Sequence, residues 1–190
     1  MKLSFVTSNK GKFEEARAAL SLHGIELLHR LVPHPEIQAD TLEEVARERA
    51  RFLRGAITGE PYFVDDAGLF VDALAGFPGV YSAYSYRTIG VAGILRLLAG
   101  EANRAARFEA VLAYMEPASV APVLVKGVCR GRILETPEGA GGFGFDPVFA
   151  PDGHTESFAR LPLSAKNELS HRGRALAKLV EHLRAAGKIP

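Results

Sequence analysis

The chain predicts an α/β fold, a mixed sheet flanked by helices, and three stretches carry that prediction. Lys2–Thr7 alternates as a short strand and passes through a polar loop into a helical pattern. Tyr62–Val71 is a β-rich apolar run that continues on both sides of two adjacent carboxylates. Arg107–Met115 and Val123–Leu134 are β-rich runs joined by a proline-containing turn and read as an antiparallel pair. With 190 residues, 47% of them hydrophobic, the chain suits one compact domain, and two lobes sharing a sheet would also fit.

In order along the chain, the first strand leads into Ser8-Asn9-Lys10-Gly11-Lys12, followed by a helix with Phe13, Ala16, Ala19 and Leu20 on one face. Backbone N–H groups at a helix start, a glycine and two lysines are the parts of a phosphate cradle. The glycine spacing of a P-loop is missing. The plain alternative is a strand-to-helix turn capped by Ser8 or Asn9. Glu26–Leu31 reads as a second strand, and the stiff loop after it holds Glu36 between proline and isoleucine as a possible oxygen ligand. Thr41 and Glu44 form a capping box for the next helix, whose apolar stripe includes Leu42, Val45, Ala46 and Leu53. Arg49 falls on that stripe, so it needs a partner: a bound polyphosphate or an acidic side chain of the chain itself.

Asp65 and Asp66 interrupt the apolar run Tyr62–Val71. Burying two charges costs several kcal/mol each without compensation, roughly speaking. A divalent cation completed by substrate phosphate is one compensation, and a turn before Gly68 is the other reading. A glycine and proline loop follows, then a short amphipathic helix from Ile89 to Leu98. Four glycines then surround Phe143, Phe145 and Asp146, as suits a flat ligand: a ring stacks on phenylalanine while Asp146 accepts hydrogen bonds from its edge. A glycine hairpin with two core phenylalanines would look the same. In the last helix Leu176, Leu179, Val180 and Leu183 form the stripe and Ser170 is the N-cap. Lys166, His171 and Arg172 crowd the positive end of that helix dipole, which calls for an anion or electron-rich group there.

Twenty-three Lys plus Arg against 22 Asp plus Glu leave a net charge of +1, so no field of one sign is present to hold a long polyanion, and nucleic acid is not expected as a partner. The single cysteine, Cys129, excludes an intramolecular disulfide framework and suits a reducing compartment, with the cytoplasm as the default. No apolar run approaches the roughly 20 residues of a membrane helix.

Together SNKGK, PEIQ, VDDAGL, GGFGFDP and SAKNELSHR, in this order along nearly the whole chain, resemble the inosine/xanthosine triphosphate pyrophosphatase family. That resemblance implies an elongated two-lobed fold with the active-site cleft between lobes, hydrolysis of ITP, dITP and XTP to the monophosphate and pyrophosphate, Mg²⁺ as cofactor, and a homodimer. It also implies that Glu36 and Asp66, with Asp65, hold the metal, and that Asp66 accepts the proton of the attacking water. Thr7, Ser8, Asn9, Lys10, Gly11 and Lys12, with Arg49, would hold the phosphates. Phe143, Gly144, Phe145 and Asp146, with Lys166, His171 and Arg172, would take the base: Asp146 faces N1–H, and Arg172 or His171 faces O6. Ala67 stands where the family commonly has serine, which leaves only backbone contact there, and Arg49 replaces a common lysine. A related pyrophosphatase for modified pyrimidine nucleotides and a nucleotide binder without turnover remain open as alternatives.

Overall fold

The computed structural model describes Met1–Pro190. Its strands are β1 (Lys2–Val6), β2 (Glu26–Arg30), β3 (Tyr62–Val71), β4 (Ala105–Met115), β5 (Val123–Ile133) and β6 (Phe149–Pro151). Its helices are α1 (Lys10–Ser21), α2 (Leu42–Leu53), α3 (Ser82–Thr88), α4 (Gly90–Leu97), α5 (Leu163–Leu169) and α6 (His171–Ala185). The strands form one six-stranded sheet in the order β2-β1-β3-β4-β5-β6. β1 runs parallel to both of its neighbours, and the remaining pairs are antiparallel.

The local signals act where the sequence puts them. Asn9 caps α1 by accepting from the Lys12 amide, Thr41 and Glu44 form the reciprocal capping box of α2, and Ser170 caps α6 through the Gly173 amide. Leu42, Val45, Ala46, Ala50 and Leu53 bury one face of α2 on the sheet.

Three apolar clusters result. Leu3, Phe5 and Phe63 pack under α1 and α6 with Leu20 and Leu179. On the opposite face Val6, Tyr62, Val64 and Val111 pack under α2 with Ala46 and Leu53. At the far end of the long strands, Leu69, Val71, Phe108 and Phe149 join Ile94 and Leu98 in a second lobe.

One asymmetry of the sheet positions the site. β1 is paired with β3 only from Ser4↔Tyr62 to Val6↔Val64, whereas β3 continues along β4 as far as Val71↔Ala106. Just beyond Val64, therefore, one edge of β3 loses its neighbour and a cleft opens, before Pro78 bridges to Phe70 farther along the strand. Side chains alternate along a strand. Phe63 lies in the α1/α6 cluster and Val64 in the α2 cluster, so Asp65 is directed to the first face and Asp66 to the second.

Helices α3 and α5 carry no periodic apolar stripe. Only Ser82 and Ser85 of α3, and only Lys166 of α5, are buried. Periodicity could not reveal them, and the structure adds both.

Candidate active site

A cleft of about 1060 Å³ occupies the notch beyond β1. It is lined by Thr7, Ser8, Asn9 and Lys12 from the first loop and by Glu36, Arg49, Asp65, Asp66 and Ala67 from the middle of the chain. Phe143, Gly144, Phe145, Asp146, Lys166, His171 and Arg172 line it from the C-terminal third. Of the residues expected in the site, Lys10 and Gly11 alone are absent from the lining. Lys10 begins α1 with its side chain exposed. Gly11 acts sterically, because a Cβ there would overlap the ring of Phe143. The first and last thirds of the chain thus interlock at a residue without a side chain.

The buried α1/α6 side of the cleft is a row of alternating charges. Lys12 Nζ lies 2.8 Å from Asp65, Asp65 2.6 Å from Arg172 Nε, and Arg172 Nη1 2.5 Å from Glu15. Glu15 lies 2.6 Å from Lys166 Nζ, which is 2.5 Å from Asp146. Lys12, Arg172 and Lys166 balance Asp65, Glu15 and Asp146, so the row is neutral although all of it except Lys12 is buried. Burial alone would raise the pKa of Asp65, but Arg172 and Lys12 outweigh it and hold the carboxyl below the usual range. Glu15 behaves the same way: burial opposes ionisation, and Arg172 with Lys166 overrides it.

Asp65, expected beside the metal, has one oxygen on Lys12 and the other on Arg172, and is directed to the opposite face of the sheet from Asp66. The alternation of β3 is the reason, since it turns neighbouring carboxylates to opposite faces. The anion expected at the start of α6 is supplied by the protein, as Asp65 and Glu15 engage Arg172. Arg172 Nη2 donates to no protein acceptor, which leaves that nitrogen for a ligand.

On the α2 side, Asp66 lies 3.3 Å from the Arg49 guanidinium, and Glu36 approaches the same group at 3.9 Å. Arg49 also donates to the Asp65 carbonyl at 3.3 Å, while its Nε is buried without an acceptor. Burial raises the pKa of Asp66; the carboxylates of Asp65 and Glu36 push the same way, and Lys12 with Arg49 offsets only part of it. Asp66 and the exposed Glu36 thus flank the Arg49 guanidinium on this wall of the cleft.

At the other end, Asp146 Oδ2 accepts from the Phe143 amide at 2.8 Å and from Lys166 at 2.5 Å. Burial keeps its pKa above the ordinary value despite Lys166. Phe145 is 3% exposed and meets Tyr86 edge-on at 5.4 Å, so it forms cleft floor and second-lobe core. Phe143 is the more open ring, with Lys166 Nζ 4.8 Å from its centroid. His171 stacks on Phe108 at 4.7 Å with its Nδ1 buried and unpartnered. Burial, and then the Arg172 charge, hold its pKa well below 6.5, so the ring is neutral at pH 7.

Sequence reading missed Glu15, although it sits on α1 one turn after Lys12 and beside the inward Ala16, where an acid has to find a cation. It also missed the wall formed by Tyr84, Tyr86 and Arg87, which line the cleft from α3. No stripe marked that helix.

A family model described as the Ham1 family matches residues 3–182. The chain is 52% identical to a dITP/XTP pyrophosphatase of Thermococcus kodakarensis over 97% of this chain and 98% of that one. It is 48% identical to a dITP/XTP pyrophosphatase of Methanopyrus kandleri over 95% of both. Among solved structures, a HAM1 protein from Coxiella burnetii superimposes with a TM-score of 0.82 at 32% identity, covering 97% of this chain and 99% of that one. Mixed sheet, interlobe cleft and near-complete coverage agree, and the chain belongs to the Ham1 family.

Proposed function

We propose that the protein hydrolyses non-standard purine nucleoside triphosphates (ITP, dITP and XTP) to the nucleoside monophosphate and pyrophosphate. The observation that carries this reading is the meeting, in one cleft, of the Thr7–Lys12 loop, the carboxylates of Asp66 and Glu36, and the buried Asp146–Lys166 pair beside Phe143. The similarity to the dITP/XTP pyrophosphatases of Thermococcus kodakarensis and Methanopyrus kandleri supports it.

Glu36 and Asp66 suit Mg²⁺, which usually takes one or two protein carboxylates and completes its shell with substrate phosphate and water. When bound, the ion would neutralise phosphate charge and make water more acidic. Lys12 and Arg49, the latter with a buried unpartnered Nε, hold the phosphates. Asp66 takes a proton from the water whose oxygen attacks the α-phosphorus. The bond from that phosphorus to the bridging oxygen breaks, and pyrophosphate leaves.

In this reading Asp146 and Lys166 take the base, with His171 and Arg172 beside them in the cleft lining. Asp146 takes N1–H, and Lys166 or Arg172 donates to O6. Adenine carries an acceptor at N1 and a donor at position 6, and so leaves opposed, unpaired groups. Such a mismatch in a buried site is worth a factor of about 10⁴. A modified-pyrimidine substrate is the less favoured reading, because this pocket pairs an acceptor with donors along a 6-oxopurine edge.

With Mg²⁺, the purified protein releases pyrophosphate from ITP or XTP far faster than from ATP, and Asp66→Asn lowers kcat by about 10²–10⁴-fold. Equal rates on ATP and ITP would end the base assignment, and full turnover by the variant would end the role of Asp66. We place the enzyme in the cytoplasm, with the nucleotide pool. We also propose a homodimer, which light scattering tests.

A further inference from the structure

The cations of the cleft are not equally available to a substrate. Lys12 is paired with Asp65, Arg49 with Asp66 and Glu36, Lys166 with Glu15 and Asp146, and Arg172 with Asp65 and Glu15. Arg87 is the one lysine or arginine lining the cleft with no carboxylate within 4.0 Å, and its side chain makes no hydrogen bond to the protein.

Its mounting is firm. Ser82 Oγ accepts from the Leu69 amide at 2.8 Å and donates to the Gly79 carbonyl at 2.7 Å, which ties the first turn of α3 to β3 just beyond Asp66. Tyr86, next to Arg87, rests edge-on against Phe145. The guanidinium is exposed, so using it needs no desolvation of an existing ion pair. It belongs to the second-lobe wall, whereas Lys12 and Arg49 belong to the other.

A triphosphate brings about four negative charges into this cleft at neutral pH. The buried row opposite is already neutral. We propose that Arg87 is a substrate-binding residue that grips the β- and γ-phosphates, the portion that departs as pyrophosphate, from the second lobe. A guanidinium suits that task because its fork can donate two parallel hydrogen bonds to phosphate oxygens. The inosine end is excluded as its target because Asp146, Lys166 and His171 already serve it.

This assignment rests on the pyrophosphatase reading, and the experiment separates the two. Arg87→Gln and Arg87→Lys are compared with the unaltered chain for ITP turnover and for competitive inhibition by inorganic pyrophosphate and by IMP. The expected result for Arg87→Gln is a KM for ITP and an inhibition constant for pyrophosphate each raised about tenfold, the worth of one charge-assisted hydrogen bond, with IMP inhibition unchanged. Arg87→Lys should recover part of that loss. If pyrophosphate inhibition stays put, or IMP and pyrophosphate weaken equally, the assignment is overturned. A lower Tm with unchanged kinetics overturns it too, since Arg87 then only complements the C-terminal dipole of α3. Absence of ITP turnover in the unaltered chain takes down the pyrophosphatase reading itself and this assignment with it.

Discussion

Glu15 shows how much depends on a single residue of the buried row. It holds Lys166 and Arg172 at 2.6 and 2.5 Å, and removing its charge leaves two buried cations short of a partner. Glu15→Gln should cost about 3–5 kcal/mol at neutral pH, the usual penalty for breaking a buried pair from one side. The pH dependence has a definite sign. The folded-state pKa of Glu15 lies below the ordinary 4.5, so its contribution is fully present above that value and is lost as pH falls through the folded pKa. Thermal melts of both proteins should therefore differ by a constant amount from pH 5 to 7, roughly, and converge only below about pH 4.5. A gap that is already closed at pH 6 would show that Glu15 is not ionised in the fold.

At the scale of elements, the start of α6 is placed by two glycines. A Cβ at Gly127 would overlap the carbonyl of His171, and one at Gly173 would overlap the carbonyl of Asn167. The first lets β5 pass directly under the helix start, and the second closes the corner between α5 and α6. Gly127→Ala should push His171 and Arg172 away from Asp65, lowering Tm and ITP turnover together. Ser170→Ala removes the cap alone and should cost about 1 kcal/mol, with turnover far less affected. Urea unfolding alongside pyrophosphate release checks both, and a Gly127→Ala protein with ordinary turnover would contradict the packing argument.

Much of this level was legible in the sequence. The caps at Thr41 and Ser170, the strand carrying Asp65 and Asp66, and the long antiparallel pair follow from periodicity and capping chemistry. What periodicity could not give was direction. Asp65 and Asp66 read as a pair until the strand alternation separates them, and nothing near Arg172 in the sequence shows that Glu15 and Asp65 engage two of its nitrogens and leave the third toward the cleft. Partners distant in sequence carry no local signal.

In the whole molecule, β3 and β4 contribute to all three apolar clusters. The lobes are therefore two ends of one sheet and share their longest strands. Neither end retains a complete sheet without the other, so unfolding should be one cooperative transition, with calorimetric and van't Hoff enthalpies equal. Since the chain has no tryptophan, tyrosine emission and far-UV dichroism are the natural second and third probes. Two separated transitions would mean that the lobes are independent folding units.

The early stop of β1 at Val6 has a consequence for design. A catalytic notch here is made by omission: two further rungs of parallel ladder would zip Thr7 and Ser8 onto Asp65 and Asp66 and seal the opening with backbone. Truncating an inner strand is among the simplest recipes for carving an enzyme out of a ribbon, since the walls of the void are then built by neighbours already in place.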